Sequence, residues 1–176
     1  MMQIKEFVMK YKNCREGQEK ERFIEKHILK DKYVSYPEKI DTCKAIVNAS
    51  CYKKIKIGET EKTIFKLDSP ARYFSYCVAM IRNYTDLVWS ADKNVEEFDL
   101  LAKYGLIDAL FHYMPENEVD TMKTILTMVL DDLMENERSI VSMMDGASDG
   151  IADMLNTLSE AAKGLVEETG NDNKTE

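Results

Sequence analysis

Residues 119–143 constrain the fold of this chain more than any other stretch. Val119, Met122, Leu126, Val129, Leu133, Asn136, Ile140 and Met143 follow one another at alternating steps of three and four residues. An apolar repeat averaging 3.5 residues lines one side of an α-helix; it fits no β-strand, whose side chains alternate every second residue. Ile125, Leu130 and Met144 widen the stripe beyond a two-helix seam, so the pattern predicts a helix that touches several neighbours. Pro115-Glu116 supplies its start, with an acidic residue suited to the helix dipole. So one-sided a helix gains most of its stability from whatever covers its apolar face. The eight stripe residues are therefore the candidate partner-binding surface, for self-association or for another protein.

The same periodicity recurs upstream in shorter pieces. Ile4, Phe7, Val8 and Tyr11 mark a short helix over residues 2–11, and Phe23, Ile24, His27 and Ile28 a second over 15–30. Tyr33-Val-Ser-Tyr reads as extended ahead of Pro37, with Ser35 as cap of a third helix that buries Ile40, Cys43, Ile46, Val47 and Cys51. The stretch YKKIKIGETEKTIFKL, residues 52–67, alternates apolar and polar residues about Gly58, the pattern of a short β-hairpin or of a basic loop. Ser69 as cap and Pro70 in the first turn start a fourth helix, to about Tyr84, that buries Tyr73, Tyr76, Cys77, Met80 and Ile81. A helix over 94–104 stopped by Gly105 and another over 106–114 come before the long one. After residues 145–150, Ile151, Met154, Leu155, Leu158, Ala162 and Leu165 form a last amphipathic run, and GNDNKTE has nothing to bury.

The expected fold is mainly α. A compact helical domain occupies residues 1–114, with a short hairpin or a basic loop at 52–67. A long amphipathic helix, a hinge and a C-terminal helix follow over 115–168, then a disordered tail over 169–176. With 44% hydrophobic and 32% charged residues, a packed core is within reach. The start, MMQIKEFVMKYK, has no apolar stretch of signal-peptide length, and no run of 18 apolar residues occurs, so a cytoplasmic protein without a membrane span is expected. Cys14, Cys43, Cys51 and Cys77 are scattered, and reduced thiols are expected. The net charge of −8 hides an asymmetry: residues 1–66 hold 16 Lys+Arg against 10 Asp+Glu, and residues 67–176 hold 8 against 22. Two regions of opposite sign can attract each other within one chain or between copies.

Catalytic and ligand motifs are sparse. MMDGASDGIAD, residues 143–153, has the outline of a calcium loop, but Ala147 and Asn156 would stand where oxygen ligands of particular kinds are needed. Gly146 reads instead as a helix stop and Ser148 or Asp149 as the next cap, with the two glycines forming a hinge. Of two histidines, His112 could in principle serve Cys77 as a base, though a core cysteine and a partly buried histidine explain both more simply. Asp131, Asp132 and Glu135 lack the Glu-x-x-His companion of a helical metal site and read as a solvated face. The seven glycines form no phosphate loop. Lysines with interleaved tyrosines between Lys30 and Lys62 could hold a nucleic-acid strand, yet the acidic remainder would repel phosphates. The expectation is a non-enzymatic protein with no catalytic, cofactor or metal residues, no membrane or nucleic-acid partner, and a protein partner or homo-oligomer. Eleven methionines, six of them between Met122 and Met154, suit an adaptable contact surface; Met128 and Met134 fall off the stripe.

The segments IKEFVMKYKN, YVSYPEKIDTCKAIV, DSPARYFSYCVAMIRNYTDL, EEFDLLAKYGLIDALFHYMPENEV and MVLDDLMENERSIVS resemble a set of small helical proteins encoded by phages and prophages of Gram-positive bacteria. That resemblance implies a product of the virion structural gene region, foremost a tail-assembly chaperone or accessory protein. Such chaperones coat the tape-measure protein, long, helical and hydrophobic, until the tail tube polymerises around it. Two other roles fit the same residues. One is a head or tail connector that oligomerises through the long helix, and the other is a host-directed inhibitor with an acidic surface.

Overall fold

The first residues pair with the middle of the chain before any helix begins. In the computed structural model, which describes residues 1–57, 60–90 and 92–139, β1 (Met2–Gln3) lies parallel to β4 (Leu87–Val88). Between them run α1 (Ile4–Asn13), α2 (Gln18–Lys26), α3 (Tyr36–Cys51), the antiparallel pair β2 (Tyr52–Ile57) and β3 (Thr60–Phe65), and α4 (Ser69–Tyr84). After β4 come α5 (Asn94–Lys103), α6 (Leu106–Tyr113) and α7, helical over 116–139. The fold is mainly α with one small antiparallel hairpin, and 52–67 forms that hairpin rather than a loop. Among the described residues no helix is long and apolar enough to cross a membrane.

Local chemistry sets most of the boundaries. Ser35 and Glu38 form a reciprocal cap on α3: the Glu38 N–H donates to Ser35 Oγ at 3.4 Å and the Ser35 N–H to Glu38 Oε2 at 3.0 Å, with Pro37 in the first turn. On α4 the cap is Asp68, not Ser69; its Oδ1 accepts the Ala71 N–H at 2.9 Å. The charged carboxylate one position earlier reaches the free N–H groups, and Ser69 becomes the first helical residue. Helix α2 is shorter than the periodicity over 15–30 predicts. Gly17 holds φ +83° at its start, and at its end Ile28 bridges to Thr85 while the Leu29 N–H donates to Tyr84 O at 2.9 Å. Those strand-like bonds satisfy the backbone better than another helical turn would.

Gly105 joins α5 to α6 with φ +65°. A Cβ there would meet no atom within 4 Å, so only the left-handed backbone would resist it. Gly105→Ala should therefore cost roughly 1–2 kcal/mol, measured as a lower urea midpoint with unchanged helical circular dichroism.

Packing divides the chain into two units, Met1–Leu130 and Asp131–Glu176, and the second is described only over its helical residues 131–139. The first unit thus runs past the boundary expected at residue 114, because Val119, Met122 and Ile125 of α7 enter its core. That core is built on Ile4 and Phe7 of α1, Met80 and Tyr84 of α4, Leu101 of α5 and Leu110 of α6, each fully buried. Tyr73 departs from expectation at 55% exposed: it starts the α4 stripe, where it meets the Phe98 ring edge-to-face with centroids 6.4 Å apart. The expected hinge at 145–150, the helix over 151–165 and the tail over 169–176 lie outside the described residues.

Candidate interaction surface

Helix α7 starts with Pro115, whose carbonyl accepts the N–H groups of Glu118 and Val119. Its rotation about its own axis is set by a buried polar cluster. Glu118, 5% exposed, turns inward and meets Lys39 of α3, 3% exposed, with Nζ 2.9 Å from Oε1. The Tyr84 hydroxyl and the Val34 N–H both donate to Glu118 Oε2, the latter at 3.4 Å, and the ammonium also lies 4.9 Å from the Tyr33 ring centre. Three helices and the segment before α3 converge on one carboxylate. Burial pushes its pKa up, but hydrogen bonds from Tyr84, Lys39 and Val34 outweigh that and hold it below the ordinary value. The Tyr84 phenol moves upward, first by burial and then by donating to Glu118.

Neither Lys39 nor Glu118 stands out from sequence motifs, yet a signal is present. Lys39 precedes Cys43 and Ile46 at steps of four and three, and Glu118 precedes Met122 and Ile125 in the same way. Each is a lone charge on an apolar stripe, and the two have opposite signs. Such a pair is a candidate buried bridge, because neither charge can be left unpaired in a core.

The 119–143 stripe is divided by this arrangement. Val119 is 7% exposed and Met122 fully buried within the core of the first unit, and the Met122 carbonyl accepts the Cys43 thiol at 3.7 Å. These two residues are internal and are not available to a partner. Leu126 and Val129 are partly buried against the same core. In the second unit Leu133 is half-buried and Asn136 exposed, while Ile140 and Met143 lie outside the described residues. Of the methionines off the stripe, Met128 is 56% exposed and Met134 half-buried.

The other candidate chemistry separates in space. Cys77 is 1% exposed and burial pushes its thiol up to about 11, whereas His112 is exposed with its ring edge-on to Tyr113. Among the described residues no hydrogen bond joins Cys77 to His112, so they form no nucleophile–base pair. His27 is more buried than its flanks suggest, at 5% exposed, edge-to-face with the stacked rings of Phe7 and Phe23. Its Nδ1 lies 2.8 Å from Asp86 Oδ1, a contact across 59 residues that ties the end of α2 to the approach to β4. Among the described residues no three His, Cys, Asp or Glu side chains are placed to hold a metal, Asp131, Asp132 and Glu135 included. The calcium-loop outline lies outside the described residues. A cleft of about 410 Å³ opens between α3 and α4, lined by Ala45, Ala49, Phe74, Ala79 and Arg82 among others; Arg82 is its one charged lining group, and no carboxylate, histidine or cysteine lines it. No protein-family model, no curated protein and no solved structure matches this chain.

Proposed function

We propose that this chain is a non-enzymatic phage assembly protein, a tail-assembly chaperone whose client is a helical hydrophobic protein such as the tape-measure protein. The observation that carries the reading is the division of the stripe: Val119 and Met122 are consumed by the core, while Leu133, further along the same repeat, is half-exposed. A unit of the size of Asp131–Glu176 buries too little apolar surface for much stability, since below about 70 residues a lone core supplies only about 3–5 kcal/mol. Its apolar positions gain from an added helix, which would dock through anchors at helical spacing. Exposed Met128 and half-buried Met134 offer flexible thioethers that adapt to varied client side chains.

Leu133→Asp is the direct test. It should lower client capture from infected or lysogenic cells by about tenfold or more, as expected when a charge enters an apolar contact, while the melting of the first unit stays as in the parent. Co-purification with a protein other than a long helical one, or recovery of the chain in finished virions, would instead make it a structural component. Unfolding of the whole chain by Leu133→Asp would place the second half of the stripe in a core and end the client reading.

A further inference from the structure

Strands β2 and β3 leave the helical body between α3 and α4 as a two-stranded ribbon. Its root is fastened: the Lys66 N–H donates to Cys51 O and the Asp68 N–H to Ser50 O, both at 2.8 Å, and the Tyr52 and Phe65 rings meet edge-on at 5.9 Å. Past the root, directly paired residues share a side of the ribbon. The register pairs Lys53 with Ile64 and Ile55 with Lys62, so two lysines and two isoleucines alternate on one side. On the other side Lys54 Nζ lies 3.7 Å from Glu61 Oε2. On the lysine–isoleucine side Lys53 and Lys62 are exposed and, among the described residues, make no ion pair, while Ile55 and Ile64 are half-buried. Among the described residues no third layer covers this side, and a bare two-stranded hairpin is marginal in water, so the side gains from a partner that is acidic and partly apolar.

The chain itself carries such a surface. Residues 67–176 hold 22 Asp+Glu against 8 Lys+Arg, and in the second unit Asp131, Asp132 and Glu135 are exposed on helical residues one turn apart. We propose that the Lys53–Ile55–Lys62–Ile64 side of the ribbon docks onto the acidic α7 face at Asp131, Asp132 and Glu135 of a second copy of this chain. Nucleic acid fits less well, because a chain with a net charge of −8 repels a phosphate backbone as a whole. The two contact surfaces differ, so each copy can both offer and receive the contact, in a reciprocal twofold pair or in a head-to-tail ring or chain. This inference needs no client and stands apart from the chaperone reading.

Light scattering on the full chain tests it. At low salt the parent should weigh more than one 20.3 kDa chain, and at about 1 M NaCl, where the Debye length is about 3 Å, it should fall to one chain. Lys53→Glu/Lys62→Glu should weaken self-association by about tenfold or more by placing like charges at the contact, and Asp131→Lys/Asp132→Lys should do the same. An equimolar mixture of the two variants should reassociate, since each then offers the other a complementary surface. Should the glutamate variant lose its melting transition, Lys53→Gln/Lys62→Gln carries the same expectation, removing charge while sparing shape. A monomeric parent at low salt, ribbon variants with the parent's mass, or a mixture that stays monomeric would each overturn the proposal. So would ribbon variants that lose only retention of double-stranded DNA, which would make the partner a nucleic acid.

Discussion

Lys39→Met should destabilise the first unit by about 3–5 kcal/mol, the cost of leaving a buried charge without its counterion. The methionine fills the lysine's volume, so no cavity confuses the result. What remains is Glu118, 5% exposed, holding only the donors from Tyr84 and Val34. The double variant Lys39→Met/Glu118→Leu should recover part of the loss but not all of it, because the Tyr84 hydroxyl and the Val34 N–H are then both unsatisfied. Acid titration gives a second, independent sign. In the parent the Glu118 pKa is lower folded than unfolded, so its contribution is fully present above the ordinary value of 4.5 and is lost as pH falls through the folded value. In Lys39→Met the ammonium's hydrogen bond and charge no longer lower the Glu118 pKa, so it should rise relative to the parent and the loss of stability on acidification should shrink. Urea midpoints between pH 4 and pH 7 read both effects. A midpoint unchanged by Lys39→Met at pH 7 would mean that Glu118 reaches water and is not the anchor of α7.

Met122→Asp should abolish cooperative unfolding of the first unit altogether. Met122 is fully buried beside Cys43 of α3, and an aspartate there adds an unpaired charge to the lost apolar contacts, together more than about 4 kcal/mol. Met122→Ala, which only empties the site, should cost about 2–5 kcal/mol and leave a measurable transition. Paired with Leu133→Asp, these variants read the stripe from both ends: the same kind of substitution, eleven residues further on, should leave the fold of the first unit intact. If Met122→Asp melts like the parent, the N-terminal half of the stripe is not core, and the division on which the proposed function rests disappears.

The hairpin shows how far local pattern reaches. Alternation about Gly58 leaves a hairpin and a basic loop both open, and the structure pairs Tyr52–Ile57 with Thr60–Phe65 in the register that keeps each side of the ribbon together. Capping chemistry likewise located α3 within a residue, and missed on α4 only by preferring Ser69 to Asp68. Where local signals fell short, a distant segment had intervened. Helix α2 stops at Lys26 because Thr85 and Tyr84 take up the next backbone groups, and His27 is buried because Asp86 meets it from across the fold.

Periodicity, caps and turn residues act over one or two helical turns, and so the sequence by itself determined that this chain is mainly helical, with one basic ribbon and an apolar stripe on α7. Which side of that stripe meets core, and how much of it is left over, is a question of what lies across from it. Lys39 and Glu118 are 79 residues apart, and their bridge, with Tyr84, is what turns Val119 and Met122 inward. A heptad stripe reads the same whether its cover comes from its own domain or from a partner, because burial energy depends on apolar area and not on which chain supplies it. Only the tertiary structure could show which of the six described stripe residues, Val119 to Asn136, are already covered.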